Sequence, residues 1–256
     1  MNTIYLGDEL SVLKMLKAES IDLVYLRLPE QFDDHDEIDE SRLRREVRLG
    51  DRVFDNLLDR DLLHLEPRLE QAWRVLAAHG TLYLHSTPRQ VHYIKALLLD
   101  EIFGRENFVN EIIWATEGNG KQTAPWPIRH NSLLMYAKDL PSRKFNRAAI
   151  DRIPYMAPGL VSDEKEQEGK LPTDTWWFTQ NITEKEVVKR AVAASSDPGD
   201  TVLDFFAGEG LTGEVCRELG RRFILIERDP NQGEVVKSKF EADSETEVIR
   251  AGNTGG

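Results

Sequence analysis

The glycine-rich segment 204–213, with the sequence DFFAGEGLTG, has residue types and a spacing that indicate ligand chemistry. It follows an apolar run and precedes a stretch of helical periodicity. Gly208 and Gly210 let the backbone approach a ligand closely, and the start of a helix presents free N–H groups. Glu227 lies 17 residues beyond Gly210, where a second apolar run ends. A carboxylate there can accept hydrogen bonds from ribose hydroxyl groups, so the pattern predicts a nucleoside-binding half-fold.

Two ligands compete for this half-fold. The spacing Gly208-x-Gly210-x-x-Gly213 also matches the dinucleotide fingerprint, which makes NAD an alternative. Only 29 residues follow Glu227, however, too few for the further strand-helix units of a dinucleotide fold. The rest of the sheet must then come from the N-terminal strands, and such a circularly permuted core favours S-adenosylmethionine. A third interpretation is that the glycines only shape a turn.

The remaining chain alternates between short apolar runs and helix-length stretches. The predicted strands are Ile21–Leu26, Thr81–His85, Leu133–Tyr136, Val202–Phe206 and Phe223–Ile226. The predicted helices are Leu62–Ala78, Val91–Asp100, Glu184–Ala194 and Leu211–Leu219. This alternation predicts an α/β fold with a mostly parallel sheet covered by helices on both faces.

Two segments interrupt the alternation within what we expect to be a single domain over residues 1–256. Residues 31–60 form a polar insertion, acidic over 33–40 and basic over 42–48, for which we predict a solvated polar helix. Residues 115–175 are rich in proline and carry one good strand, so they are predicted to be loop-rich. The acidic tail after Phe240 is expected to be frayed.

Composition limits the partners and the cell compartment. The 256 residues include 33 Lys and Arg against 45 Asp and Glu, a formal charge of −12, so any contact with a nucleic acid must be local. The single cysteine, Cys216, excludes an internal disulfide, and the absence of ligand spacing predicts no metal site. No apolar run approaches the roughly 18 residues of a membrane helix. We therefore expect a cytoplasmic protein with no membrane contact.

Several sequence blocks resemble the β-group DNA amino-methyltransferases, which methylate the exocyclic amine of adenine or cytosine. The matching blocks are Ile4–Leu10, Ser20–Leu26, Thr81–His85, His92–Lys95, Ile102–Phe108, Asn110–Trp114, Arg129–Asn131, Ala194–Asp200 and Gly220–Ile224. The resemblance implies a circularly permuted, Rossmann-like class I methyltransferase fold with S-adenosylmethionine as the cofactor. It implies these cofactor-binding residues: Asp8, Asp204, Phe206, Gly208, Gly210 and Glu227.

The chain departs from the family pattern at the catalytic motif. The family has Asp or Asn, two prolines and an aromatic residue immediately after the strand that ends at Leu26, whereas this chain has Arg27-Leu28-Pro29-Glu30. The segment that normally contains Pro-Thr-Gln-Lys-Pro falls on residues 180–184, QNITE, with no match. The cofactor loop differs less, with Phe205 in place of a usual proline and Glu209 in place of a small residue.

These departures bear on catalysis because an aromatic amine is a poor nucleophile. In the family, the Asp or Asn oxygen accepts a hydrogen bond from the amine, and the aromatic residue stacks on the flipped base. Arg27 has only donors and Glu30 has no aromatic ring. Losing an oriented hydrogen-bonding group costs about two to three orders of magnitude in rate, so we predict that the usual activity is lost.

Rescue by neighbouring residues is the alternative. Phe32 could stack on a base, and Glu30 or Asp33 could accept from the amine. The acidic run over 33–40 would repel phosphates, and we expect it to be a solvated face.

DNA contact is predicted through local basic residues in 115–175, the candidate target-recognition region by the motif order of the family. These residues are Lys121, Arg129, His130, Arg143, Lys144 and Arg147. The alternative is that they are ordinary loop charges. The aromatic run 176–178, WWF, could likewise line the cofactor pocket or belong to the core, and we favour the core.

Three hypotheses follow for the whole chain. The first is a family member with a cofactor pocket but a degenerate catalytic motif, acting as a DNA-associated or regulatory subunit, either as a homodimer or with an active methyltransferase partner. The second is an active methyltransferase with reassigned catalytic residues. The third is an interaction scaffold without a cofactor.

Overall fold

A computed structural model describes residues 1–29, 44–49, 52–57, 60–116, 126–177 and 182–251. The strands are β1 (Asn2–Leu6), β2 (Ile21–Arg27), β3 (Arg44–Leu49), β4 (Arg52–Leu57), β5 (Leu76–Ser86), β6 (Phe108–Ala115), β7 (His130–Ala137), β8 (Thr175–Trp176), β9 (Thr201–Asp204), β10 (Arg222–Glu227) and β11 (Thr246–Arg250). The α-helices are α1 (Glu9–Met15), α2 (Arg60–Val75), α3 (Val91–Ile94), α4 (Asp163–Glu168), α5 (Glu184–Ser195), α6 (Leu211–Glu218) and α7 (Pro230–Phe240). Helix α3 continues as a π-helix over Lys95–Gly104.

Nine strands form one sheet in the order β11-β1-β10-β9-β2-β5-β7-β6-β8. Strand β7 runs antiparallel to both of its neighbours, and the other pairs are parallel. The C-terminal strands β9 and β10 therefore lie between the N-terminal strands β1 and β2. This order confirms the predicted α/β fold and its circular permutation.

Helices cover both faces of the sheet, as parallel strands buried on both sides require. Apolar residues of α1, α2 and α3 with its π-helical continuation pack on one face. Apolar residues of α5, α6 and α7 pack on the other face. None of the helices in the described part of the chain is both long and apolar enough to cross a membrane.

All five predicted strands and all four predicted helices are present, with shifted ends. The predicted helix Leu62–Ala78 ends at Val75, because the chain already enters β5 at Leu76. The other helices end within a few residues of their predicted limits, apart from the π-helical continuation of α3.

Two local predictions are wrong. The polar helix predicted within 33–48 is absent from residues 44–49, which form β3 and pair antiparallel with β4. Val47 and Leu49 alternate there with charged residues, and this period of two indicates a strand. The tail after Phe240 is not frayed throughout, since β11 pairs with β1 from Asn2 to Leu6. Residues 30–43 lie outside the described part of the chain.

Candidate active site

A cleft of about 780 Å³ opens where the carboxyl ends of the parallel strands meet. Its wall includes three residues of the predicted catalytic motif, namely Arg27, Leu28 and Pro29. It also includes four predicted cofactor-binding residues, namely Asp204, Phe206, Gly208 and Glu227. The two chain ends thus contribute to one cavity, because β9 lies beside β2 in the sheet. Glu30 lies outside the described residues.

The glycine loop needs glycine at two positions for different reasons. Gly210 precedes α6 with φ +80°, and a Cβ there would lie 2.5 Å from Val236 Cγ2. Gly208 has φ +51°, but a Cβ there would meet nothing within 4 Å. Gly210 is therefore required by both backbone conformation and packing, whereas Gly208 is required by conformation and leaves open space toward the cleft.

Replacing these glycines with alanine should separate the two requirements. We expect Gly210→Ala to lower the free energy of unfolding by about 2–4 kcal/mol, since left-handed strain adds to a clash with α7. Gly208→Ala should cost only about 1 kcal/mol. Urea unfolding of both variants checks this, and equal losses would contradict the packing argument.

The Glu227 carboxylate, at the end of β10, holds the glycine loop in place. Its Oε2 accepts a hydrogen bond from the Gly208 N–H at 2.6 Å, and its Oε1 accepts from the Asp229 N–H at 2.8 Å. Burial raises the pKa of Glu227 above its ordinary value. Each carboxylate oxygen has a second lone pair, so the group can still accept from a ligand hydroxyl in the cleft.

The Asp204 carboxylate, at the end of β9, is almost completely buried. It accepts hydrogen bonds from the Phe206 N–H at 3.0 Å and from the Thr212 hydroxyl at 2.6 Å. Burial outweighs these bonds and raises the pKa of Asp204 to about 7. Because the folded protein holds this proton more tightly than the unfolded chain, stability should fall as the pH rises toward 7.

This linkage predicts a measurable effect of Asp204→Asn, which removes the titrating group. Between pH 5 and pH 7 the native chain should lose about 2 kcal/mol more unfolding free energy than the variant. Urea unfolding at both pH values checks the difference. If the variant shows the same pH dependence, then Asp204 titrates in the folded protein as it does in the unfolded chain, and the buried-acid account is wrong.

Arg27 occupies the corner of the cleft where the family places its acceptor side chain. Its Nη1 lies 2.8 Å from Oε1 and 2.9 Å from Oε2 of Glu184, the first residue of α5. The Arg27 side chain is 58% exposed. This corner therefore presents a guanidinium, and the Glu184 carboxylate already accepts from it.

Some cleft residues were not predicted from the sequence. The Tyr25 hydroxyl and Gln232 Oε1 are buried and have no hydrogen-bond partner among the described residues, and both residues line the cleft. Burial raises the pKa of Tyr25, so the hydroxyl stays protonated. Tyr25 could have been found from its position two residues before Arg27, because alternate residues of a strand share a face.

The first turn of α1 brings Glu9, rather than the predicted Asp8, to the cleft wall. Asp8 caps α1 and accepts a hydrogen bond from the Ser11 N–H at 2.7 Å. The Glu9 carboxylate lies 3.1 Å from Arg68 Nη2, and burial raises the pKa of Glu9 despite this contact. Glu9 adds an acidic group beside Glu227 in the cleft.

The predicted DNA-contacting residues do not form one surface. Arg129 and His130 line a groove of about 530 Å³ at the start of β7, on the same side of the sheet as the cleft. Arg143, Lys144 and Arg147 follow the end of β7 and lie at the opposite edge. Lys121 is outside the described residues.

Two of these residues at the opposite edge make contacts within the protein. Lys144 Nζ contacts the carboxylates of Asp197, at 2.9 Å, and Asp200. Arg143 Nη1 donates to the Leu140 carbonyl at 2.8 Å. These contacts fit the alternative in which the basic residues of this edge are ordinary loop charges.

The aromatic pair at β8 divides between core and surface. Trp176 is buried, as expected for a core residue, and donates from Nε1 to the Thr173 carbonyl at 2.8 Å. Trp177 is exposed and lines the groove with Arg129 and His130. Trp126, 90% exposed, begins the described segment that leads to this groove. Phe178 lies outside the described residues.

A family model described as DNA methylase, of the N6/N4 methyltransferase type, matches residues 62–238. The chain belongs to this family. The match includes α2, the glycine loop and Glu227, so it covers much of the cleft described above.

Known members of the DNA methylase family are similar over most of the chain. Type II methyltransferase M.HpaI of Haemophilus parainfluenzae is 30% identical over 188 residues, which are 68% of this chain and 58% of M.HpaI. The DNA adenine methyltransferase YhdJ of Escherichia coli K12 is 28% identical over 250 residues, 88% of this chain and 78% of YhdJ. This chain therefore spans little more than half the length of the first relative and over three quarters of the second.

A solved structure of the same fold extends over nearly the whole chain. TTHA0409 of Thermus thermophilus, a DNA modification methylase complexed with S-adenosylmethionine, matches with a TM-score of 0.66 and 20% identity. The match covers 99% of this chain and 100% of TTHA0409. At the level of the family and fold, the predicted cofactor, S-adenosylmethionine, is confirmed.

Proposed function

We propose that this DNA methylase family member binds S-adenosylmethionine in its cleft but does not transfer the methyl group to an exocyclic amine. In this proposal it acts as a DNA-associated or regulatory subunit. The observation that carries the proposal is the Arg27–Glu184 ion pair at the corner where the acceptor side chain is needed.

The residues of the cleft fit the cofactor. Glu227 supplies a carboxylate for ribose hydroxyl groups, and the open space at Gly208 admits a ligand against the backbone. Tyr25 and Gln232 each present a buried polar atom without a partner among the described residues, as expected where a polar ligand belongs. Bound S-adenosylmethionine would supply an electrophilic methyl group.

The acceptor corner lacks what a methyl transfer to an amine requires. The amine must donate a hydrogen bond so that its lone pair turns toward the methyl group, and a guanidinium accepts none. The Glu184 carboxylate could accept, but Arg27 already holds both of its oxygens. The positive charge of Arg27 also disfavours the positive charge that develops on the attacking amine.

DNA association is supported by the groove beside the cleft. Arg129, His130 and the exposed Trp177 line it, a combination of basic and aromatic groups that suits a phosphate backbone and a base. The net charge of −12 predicts that binding is weak and depends strongly on salt.

The test is a pair of titrations on the native chain. Calorimetry with S-adenosylmethionine should show saturable binding near one molecule per chain, and a mobility-shift assay should show duplex DNA binding that weakens as salt rises. A blank S-adenosylmethionine titration would favour the scaffold without a cofactor. Cofactor binding without any DNA binding at low salt would contradict the DNA-associated role.

An active methyltransferase with reassigned residues is the second candidate, because the Glu184 carboxylate already lies in the cleft. In that case Arg27 would leave Glu184 when substrate binds, and the carboxylate would accept from the amine. Arg27→Gln would then keep or raise the methyl transfer rate of the native chain, whereas in the first proposal there is no rate to change.

A further inference from the structure

A second cavity, of about 250 Å³, lies on the face of the sheet covered by α5. Within the described part of the chain it shares no lining residue with the cleft. Its wall is mostly apolar and includes the aromatic rings of Tyr83, Phe145 and Trp176. Its volume is below the roughly 300 Å³ at which pockets for drug-sized ligands begin, so a ligand of one or two rings would fit.

Arg190 of α5 gives this cavity a specific polar group. The side chain is 4% exposed, and its guanidinium carbon lies 4.7 Å from the centre of the Trp176 ring. Nε and Nη2 donate to the two carboxylate oxygens of Asp151, at 2.9 and 2.7 Å. Nη1 is buried and has no partner among the described residues. A buried donor without a partner is costly, and an acceptor in the cavity would remove that cost.

The other polar groups of the wall already have partners. The Tyr83 hydroxyl lies 2.9 Å from the Ser195 hydroxyl, and Trp176 donates to the Thr173 carbonyl. The ligand therefore needs an acceptor for Arg190 and otherwise apolar surface.

The charges around the cavity select against an anion. The carboxylate of Asp151 balances the Arg190 guanidinium, and these hydrogen bonds hold the pKa of Asp151 below its ordinary value. Asp174 adds a second carboxylate to the lining. A charged carboxylate ligand would meet net negative charge, whereas a neutral ligand would not.

We propose that this cavity binds a small, neutral, planar molecule whose carbonyl oxygen or ring nitrogen accepts a hydrogen bond from Arg190 Nη1. The aromatic side chains of the wall supply flat apolar contact, and the guanidinium fixes the orientation of the ligand. The site is separate from the cleft, so its occupancy does not depend on the cofactor.

Benzamide is a suitable probe, because it is neutral and planar and carries one carbonyl group. Titration followed by ligand-observed NMR, with and without saturating S-adenosylmethionine, should give a Kd of about 1 mM in both cases. Benzoate, the charged isostere, should bind at least about tenfold more weakly. Absent benzamide binding, equal binding of benzoate, or displacement by S-adenosylmethionine would each overturn the proposal.

Two variants locate the probe. Phe145→Ala removes an exposed aromatic side chain of the cavity, and Arg190→Lys keeps the charge beside Asp151 but shortens the reach of the donor. Each should weaken benzamide binding by about tenfold. Arg147→Ala changes an exposed neighbour outside the cavity and should leave binding unchanged. If Arg190→Lys fails to fold, Phe145→Ala decides, and unchanged binding in that variant overturns the proposal.

Discussion

Methyl incorporation into duplex DNA is expected to rise at least about 100-fold above the level of the native chain when Arg27→Asp, Leu28→Pro and Glu30→Tyr are combined with Glu184→Gln. The first three changes restore the acceptor and the aromatic residue of the family motif. The fourth is required by the structure, because Glu184 lies within 3 Å of the Arg27 side chain. Two carboxylates so close would raise the pKa of one of them and weaken it as an acceptor.

A matched variant isolates the acceptor. It carries Arg27→Met in place of Arg27→Asp, with the other three changes kept, so that the guanidinium is lost without a carboxylate being gained. This variant should stay at the background rate. Equal activity of the two variants, or no activity in either while S-adenosylmethionine still binds, would contradict the claim that the motif alone silences the site.

Glu227→Gln is expected to weaken S-adenosylmethionine binding by about 10- to 100-fold in calorimetry. The carboxylate accepts from the Gly208 and Asp229 N–H groups, whereas a glutamine amide has a single accepting oxygen. One loop contact becomes a contact between two donors, and the charged acceptor for ribose hydroxyl groups is lost. A hydrogen bond to a charged group contributes about 1.5–3 kcal/mol, which sets the expected range.

Glu209→Gln is the control for Glu227→Gln, since Glu209 also lines the cleft but is exposed. It changes the charge of the cleft by the same amount and should alter the affinity less than threefold. Comparable losses in both variants would show that the total negative charge of the cleft, and not the position of Glu227, governs cofactor binding.

Much of the fold could be predicted because its signals are local. The buried strands are continuous apolar runs, and α2 repeats leucines at three- and four-residue spacing. The permutation followed from a count, since too few residues remain after Glu227 to complete a sheet. Strand β3 was missed because its alternating arginines were interpreted as a charged helix, although Val47 and Leu49 indicated a strand.

The candidate site was predictable only in part, because much of it depends on contacts between distant segments. Nothing in the sequence pairs Arg27 with Glu184, 157 positions later; the pairing arises because α5 begins above the end of β2. The separation of Arg129 from Arg143 has the same origin. Only 14 residues divide them in sequence, but β7 carries the chain from one edge of the sheet to the other.

The most direct test of the account is methyl transfer by the native chain after S-adenosylmethionine binding has been measured. Protein saturated with methyl-labelled cofactor is incubated with mixed-sequence duplex DNA, and label in the DNA is counted against a blank without protein. The account predicts bound cofactor and DNA counts equal to the blank. Label that accumulates over several turnovers would contradict it, because the Arg27 corner would then be a working acceptor site.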